Sequence, residues 1–155
     1  HNVAHSFPTR RSSDLPGMGI RSELPRLEAH GFLKLHPFTP DGLRRVDGTN
    51  LLEAGRFLAL TTCSNCHSLT TTGMRPLARY FGGNTDVPAL AAYLQAALST
   101  GNTLYMPTIP LQDDEAEALA TYIAHLASPA AAQAWVDRRS RQAAAAPATH
   151  EGSAR

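Results

Sequence analysis

The sequence predicts an all-α protein, on three observations. Apolar residues recur at helical spacing in several stretches, residues suited to helix ends bracket those stretches, and no alternating apolar–polar run suggests a strand. A weak helix is predicted over about Ser22 to His30, ended by Gly31. A second starts at Asn50, whose side chain is expected to cap it while Glu53 reaches back. It places Leu51, Leu52, Gly55, Leu58 and Ala59 on one face and runs to about Thr62. A third follows Asp86 as N-cap and carries Leu90, Tyr93, Leu94, Ala97 and Leu98. The fourth opens on Asp113, Asp114, Glu115 and Glu117, acids suited to the positive end of a helix dipole. It buries Ala116, Leu119, Ala120, Ile123 and Leu126 and is stopped by Ser128-Pro129. A short segment around Trp135 is expected after it.

Composition narrows the function. The chain has 155 residues, which fits one domain or one small domain with tails. With 14 basic and 13 acidic residues, a net charge of +1 excludes nucleic-acid binding through bulk positive charge. No apolar run approaches the roughly 20 residues that span a bilayer. Two cysteines are too few for a disulfide scaffold or a four-cysteine zinc ribbon. Aromatic residues make up only 6%, so something besides side chains is expected to fill the centre.

Both ends stand apart from the fold. His5-Ser6-Phe7-Pro8-Thr9-Arg10-Arg11-Ser12-Ser13-Asp14-Leu15 lacks the apolar stretch of a secretory signal. It resembles the conceptual translation of a common sequencing-library adapter. Residues 1–15 are therefore read as adapter-derived, and the natural chain is expected to continue upstream of Pro16, with room there for a leader or a membrane domain. From Ala143 onward an alanine-rich tail offers little to bury. The expected organisation is 16–48 as a linker or N-terminal extension, 49–128 as the functional domain, and 129–155 as a short helix with a disordered tail.

The chemistry sits in Cys63-Ser64-Asn65-Cys66-His67. This is C-x-x-C-H, the c-type haem attachment pattern. The thiols add across the two haem vinyl groups, and the next side chain then lies under the iron, which makes His67 the proximal axial ligand. Both cysteines of the chain fall in these five residues, directly after an amphipathic helix. A redox dithiol would normally accompany a βαβ pattern, and none is present. A zinc site would need two more ligands, and His30, His36 and His125 do not supply them at paired spacing.

The surroundings resemble the class I cytochrome c family over about Asn50 to Ala127. Gly55 stands eight residues before Cys63, like the small residue that lets the family's first helix cross the last one closely. Leu119-Ala120-Thr121-Tyr122-Ile123 is similar to the closing helix, whose aromatic packs over that glycine. Gly73-Met74-Arg75-Pro76-Leu77 resembles the family's Gly-Pro-x-Leu with two residues inserted. The resemblance implies that the Pro76 carbonyl accepts the His67 Nδ1 hydrogen and that Leu77 lines the porphyrin, with Phe81, Tyr93, Leu94 and Leu98 as further apolar wall. Gln112 departs from the usual Ser or Thr cap, a task left to Asp113.

Met106-Pro107 matches the family's Met-Pro, the source of the distal ligand. Met106 lies 39 residues after His67 with a whole helix between them, whereas Met74, seven residues on, barely clears the proximal side. A core-filling Met106, or a sixth ligand from His30, His36 or His125, stays open at this point. Tyr105, Arg75 and Arg79 are candidate propionate partners, with surface packing or solvation as the plainer reading.

The resemblance implies a cytochrome c fold, three to four helices wrapped around one covalently bound haem c. With His67 and Met106 on the two axial sites, the iron exchanges single electrons. The expected protein is an electron carrier and not itself an enzyme, relaying electrons between redox donor and acceptor proteins in a respiratory or other chain. A haem enzyme or gas sensor with an open or labile sixth site is the alternative. Gly19-Ile20-Arg21-Ser22-Glu23-Leu24 and Gly31-Phe32-Leu33 are similar to linkers before the C-terminal cytochrome domain of larger membrane-bound redox proteins. A fused quinol-oxidising membrane domain is the partner they imply. Covalent haem attachment in the family implies a periplasmic location, membrane-tethered in that case.

Overall fold

The computed structural model describes residues 16–99 and 106–146. The adapter-like segment 1–15, Tyr105 and the tail from residue 147 lie outside the described residues. Seven helices and no strand are found among the described residues: α1 (Pro16–His30), α2 (Phe32–Leu35), α3 (Leu51–Leu58), α4 (Leu77–Tyr80), α5 (Val87–Ser99), α6 (Asp113–Ala127) and α7 (Pro129–Ala145). A 3₁₀ turn covers Asp41–Leu43, and a wider π turn, Ala59–Cys63, prolongs α3.

Helix α6 is the centre. Ala116, Ala118, Leu119, Ala120, Ile123 and Ala124 are all buried, a stripe wide enough to face several neighbours at once. Helices α3, α4, α5 and α7 all pack against it. The tightest crossing is with α3 at Gly55. A Cβ there would land on the Ala118 carbonyl and stand 2.9 Å from Tyr122 Cβ, so only glycine fits. The helix that leads into Cys63 thus passes closely under Tyr122 of α6.

Several expectations need correction. Asn50 occupies the N-cap position of α3 but makes no side-chain cap bond. Its Oδ1 accepts the Asp47 N–H (2.9 Å), and its Nδ2 donates to the carbonyls of Gly42 and Arg45 (2.9 Å each). The side chain is spent on bracing the preceding loop. At α5 the cap is as expected, with Ala89 N–H donating to Asp86 Oδ1 (3.1 Å). At α6 it is Glu115 that closes the first turn, accepting the Gln112 N–H on Oε2 (3.1 Å). Asp113 instead takes a hydrogen bond from Gln95 Nε2 (2.7 Å). The segment around Trp135 is a helix of 17 residues, not a short one, started by Ser128, whose Oγ accepts the Ala131 N–H. Glu117 on α6 holds it, taking hydrogen bonds from Trp135 Nε1 (3.0 Å) and Arg139 Nε (2.6 Å).

Part of residues 16–48, expected as a linker or N-terminal extension, packs against the core. Leu33 (1% exposed) and Val46 (8%) belong to the core. The Leu33 N–H donates to Glu115 Oε1 at 2.7 Å. Gly31 makes room for this: it has φ +84°, and a Cβ there would meet Glu115 Oε1 at 2.8 Å. Glu115 itself is 3% exposed. Burial pushes its carboxyl above the ordinary 4.5, against the pull of the Leu33, Gln112 and Phe32 N–H groups, while Asp114 adds to the rise.

Two consequences can be measured. Gly55→Ala should destabilise the chain by about 3 kcal/mol or more in denaturant unfolding, because the clash is with backbone and cannot be relieved by a rotamer. For Glu115, a folded value above the unfolded one means that the native state holds the proton more tightly. Its contribution is complete below about pH 4.5 and is lost as pH rises through the elevated value. The stability difference between Glu115→Gln and the parent chain should therefore change in that window and be flat below it.

Candidate functional site

The site begins where α3 changes step. Ser64 N–H reaches five residues back to the Ala59 carbonyl (3.0 Å). Around this π turn three hydroxyls fold back onto the helix: Thr61 Oγ1 to the Phe57 carbonyl (2.8 Å), Thr62 Oγ1 to Leu58 (2.7 Å) and Ser64 Oγ to Leu60 (2.6 Å). Such back-bonding supplies partners for the backbone where the helical ladder is interrupted. The chain then makes one more tight turn, with the N–H groups of Cys66 (3.1 Å) and His67 (2.9 Å) both donating to the Cys63 carbonyl.

This turn presents two thiols and an imidazole together. Cys63 and Cys66 are both free, Cys63 half-buried and Cys66 exposed. Burial pushes the Cys63 thiol up from its usual value, with the Thr62 hydroxyl, 3.4 Å from the sulfur, acting the other way. Cys63 also ends a helix instead of starting one, so no helix N-terminus stabilises a thiolate there. Both facts disfavour a reactive dithiol. Among the described residues, no group of three or more His, Cys, Asp or Glu side chains stands close enough to hold a metal ion, so His30, His36 and His125 do not complete a zinc site. His36 packs among Phe32, Phe38 and Phe57, and His125 stacks on Tyr122.

His67 is buried, and its Nδ1 lies 3.0 Å from the carbonyl oxygen of Arg75. A carbonyl only accepts, so Nδ1 carries the hydrogen and the lone pair of the neutral ring is on Nε2. The expected acceptor was the Pro76 carbonyl; the structure corrects this by one residue. Pro76 is the N-cap of α4, and its carbonyl accepts from Arg79 N–H (3.0 Å) and Tyr80 N–H (3.3 Å). It is therefore turned along α4. The preceding carbonyl, that of Arg75, is the one left to face the imidazole. Tyr80, which the sequence did not single out, stands edge-on to the His67 ring, centroids 5.1 Å apart at 83°. Phe81 and Tyr93 continue this row of rings along the wall.

These groups open onto one apolar cleft of about 710 Å³, mouth included. Cys63, Cys66 and His67 line it, as do the sequence-predicted Leu77, Phe81, Tyr93, Leu94, Leu98 and Met106. Met106 comes from the segment after α5, which is pinned by the Ile109 N–H donating to the Leu98 carbonyl (2.8 Å). Ile123 of α6 adds a wall that the sequence reading had placed in the core. Met74 is not part of the cleft and is 75% exposed. Arg75 and Arg79 are exposed as well.

The arrangement can hold a flat apolar group by two sulfurs and a metal by an imidazole nitrogen and a thioether. In comparisons with known proteins, the chain matches no family model, no curated protein and no solved structure. No helix among the described residues is long and apolar enough to cross a membrane.

The exposed Met74 and the cleft wall should separate cleanly in denaturant unfolding. Leu94→Ala is expected to cost about 2–5 kcal/mol, as a buried large-to-small change. Met74→Ala should stay within about 0.5 kcal/mol of the parent.

Proposed function

We propose that the chain is a one-electron carrier that binds a single haem c covalently, with His67 and Met106 as its axial ligands and a cytochrome c fold around it. The observation that carries this reading is the convergence of Cys63, Cys66, His67 and Met106 on one apolar cleft. The tautomer of His67 adds to it, because a proton on Nδ1 leaves Nε2 free to bind a metal.

The residues present fit such a group. Cys63 and Cys66 would anchor it by thioether bonds, and Leu77, Phe81, Leu94, Leu98, Ile109 and Ile123 would exclude water from its faces. The haem supplies reversible one-electron exchange at iron when bound. With such a group bound, His67 and Met106 would hold its iron, and a metal held by both would have no site open to dioxygen or peroxide and would serve electron relay. Thioether ligation favours the reduced iron relative to a second imidazole, and burial adds to that preference. The carbonyl of Arg75 holds the imidazole in its binding orientation. Tyr93, 56% exposed at the cleft wall, marks a part of the cleft close to solvent, where electrons would enter and leave.

Donor and acceptor are proposed to be redox proteins, or a quinol-oxidising membrane domain fused upstream, on the periplasmic side where covalent haem attachment takes place.

The test is expression with a cytochrome c assembly system. The denatured polypeptide should keep one porphyrin by mass and give a c-type pyridine haemochrome spectrum. Cys63→Ala with Cys66→Ala should retain none. Met106→Ala should abolish the weak long-wavelength ferric band of sulfur ligation and allow rapid CO binding by the reduced protein. Rapid CO binding by the parent protein would instead favour the enzyme or sensor reading.

A further inference from the structure

The loop between His67 and α4 is closed on itself by its own hydrogen bonds. Ser68 N–H donates to the Met74 carbonyl and Leu77 N–H to the Ser68 carbonyl, both at 2.9 Å. Ser68 Oγ donates to the Thr72 carbonyl (2.7 Å), as does Thr70 Oγ1 (2.6 Å). The first two bonds straddle Arg75, whose carbonyl is the one facing His67 Nδ1.

Arg75 has φ +46° and is the only non-glycine residue at positive φ among those described. Two preferences are set aside there. A side chain with a Cβ disfavours the left-handed region, and a following proline biases the residue before it toward extended conformations. The Arg75 side chain is exposed, so no packing of the guanidinium explains the conformation. What the conformation does achieve is visible: it turns the Arg75 carbonyl onto the imidazole while the next carbonyl, that of Pro76, starts α4. A sparsely populated backbone conformation held by its surroundings beside a ligand residue points to a positioning role.

We infer that Arg75 is a positioning residue for His67: its left-handed backbone, locked by the Ser68–Leu77 loop, fixes the Nδ1–H tautomer and orientation of the imidazole, and its side chain takes no part. The inference rests on His67 being the metal ligand of the proposed function. A hydrogen bond that draws the Nδ1 proton toward a carbonyl makes the ring a stronger donor through Nε2, which favours oxidised iron and lowers the reduction potential.

The experiment uses the full chain carrying its haem, with Arg75→Gly, Arg75→Ala and Arg75→Val. Glycine accepts the left-handed backbone, alanine keeps a Cβ without the guanidinium, and valine is the residue type that tolerates the region least. Hydrogen exchange of the His67 Nδ1–H in the reduced protein and the reduction potential are the readouts. Arg75→Gly and Arg75→Ala should match the parent in both. Arg75→Val should speed exchange at least tenfold and raise the potential, with haem and sulfur ligation retained. Parent-like exchange and potential in Arg75→Val would overturn the inference, as would exchange in the parent as fast as in free imidazole. Should the polypeptide take up no haem, the proposed function fails by itself. The nitrogen shifts of neutral His67 in the haem-free chain then decide the inference: protonation at Nδ1 upholds it, and protonation at Nε2 overturns it.

Discussion

The contact on which the rest depends is the approach of α3 to α6 at Gly55. With hydrogen in place of a side chain, the Ala118 carbonyl and Tyr122 come within reach of the α3 backbone. Leu58 and Ala59, one turn further on, are then buried in the same core as Leu119 and Ile123. Because α3 runs without a break into the π turn and Cys63, this crossing also fixes where the attachment motif leaves the helix. Widening it would move the thiols relative to the Ile123 wall of α6. The core and the site share one hinge of geometry.

The N-terminal part of the chain is tied to that same helix from the other end. Glu115 is a buried carboxylate in the first turn of α6, and it gathers N–H groups both from its own helix start and from Leu33. A single side chain thus caps a helix and docks a segment 82 residues away. Burial of a carboxylate is tolerated because both oxygens have donors; removing either would leave a polar atom without a partner in an apolar setting. Gly31 is the concession in the backbone that allows the approach.

Much of the site was legible in the sequence because it is written locally. Five consecutive residues define the attachment motif, and helical spacing alone placed Leu90, Leu94, Leu98, Leu119 and Ile123 on buried faces. Gly55 was legible only through the resemblance, which implies a small residue at that distance before the first cysteine. Other features depended on tertiary partners that periodicity does not encode. Asn50 sits where a cap belongs, yet its amide is drawn to the loop at Gly42 and Arg45. Glu115 reads as a dipole-suited acid, and its tie to Leu33 has no local signature. The length of α7 was hidden because Glu117, on another helix, holds its Trp135 and Arg139. The one-residue displacement from Pro76 to Arg75 depends on carbonyl direction, which only the folded loop reveals: the Pro76 carbonyl is taken by the N–H groups of Arg79 and Tyr80.

The widened turn at Ala59–Cys63 has a consequence of its own. A π turn accommodates one residue more than a regular helix would over the same rise, which rotates everything after it by roughly a quarter-turn about the axis. Without that extra residue the phase of the chain would slip, and the first sulfur would leave the helix on a different bearing from the one that meets the cleft. The direction of the Cys63 sulfur is therefore set by counting as well as by chemistry: the spacing from Gly55 to Cys63 behaves like the pitch of a thread, and shortening it by one would spoil the alignment with every cleft residue still in place.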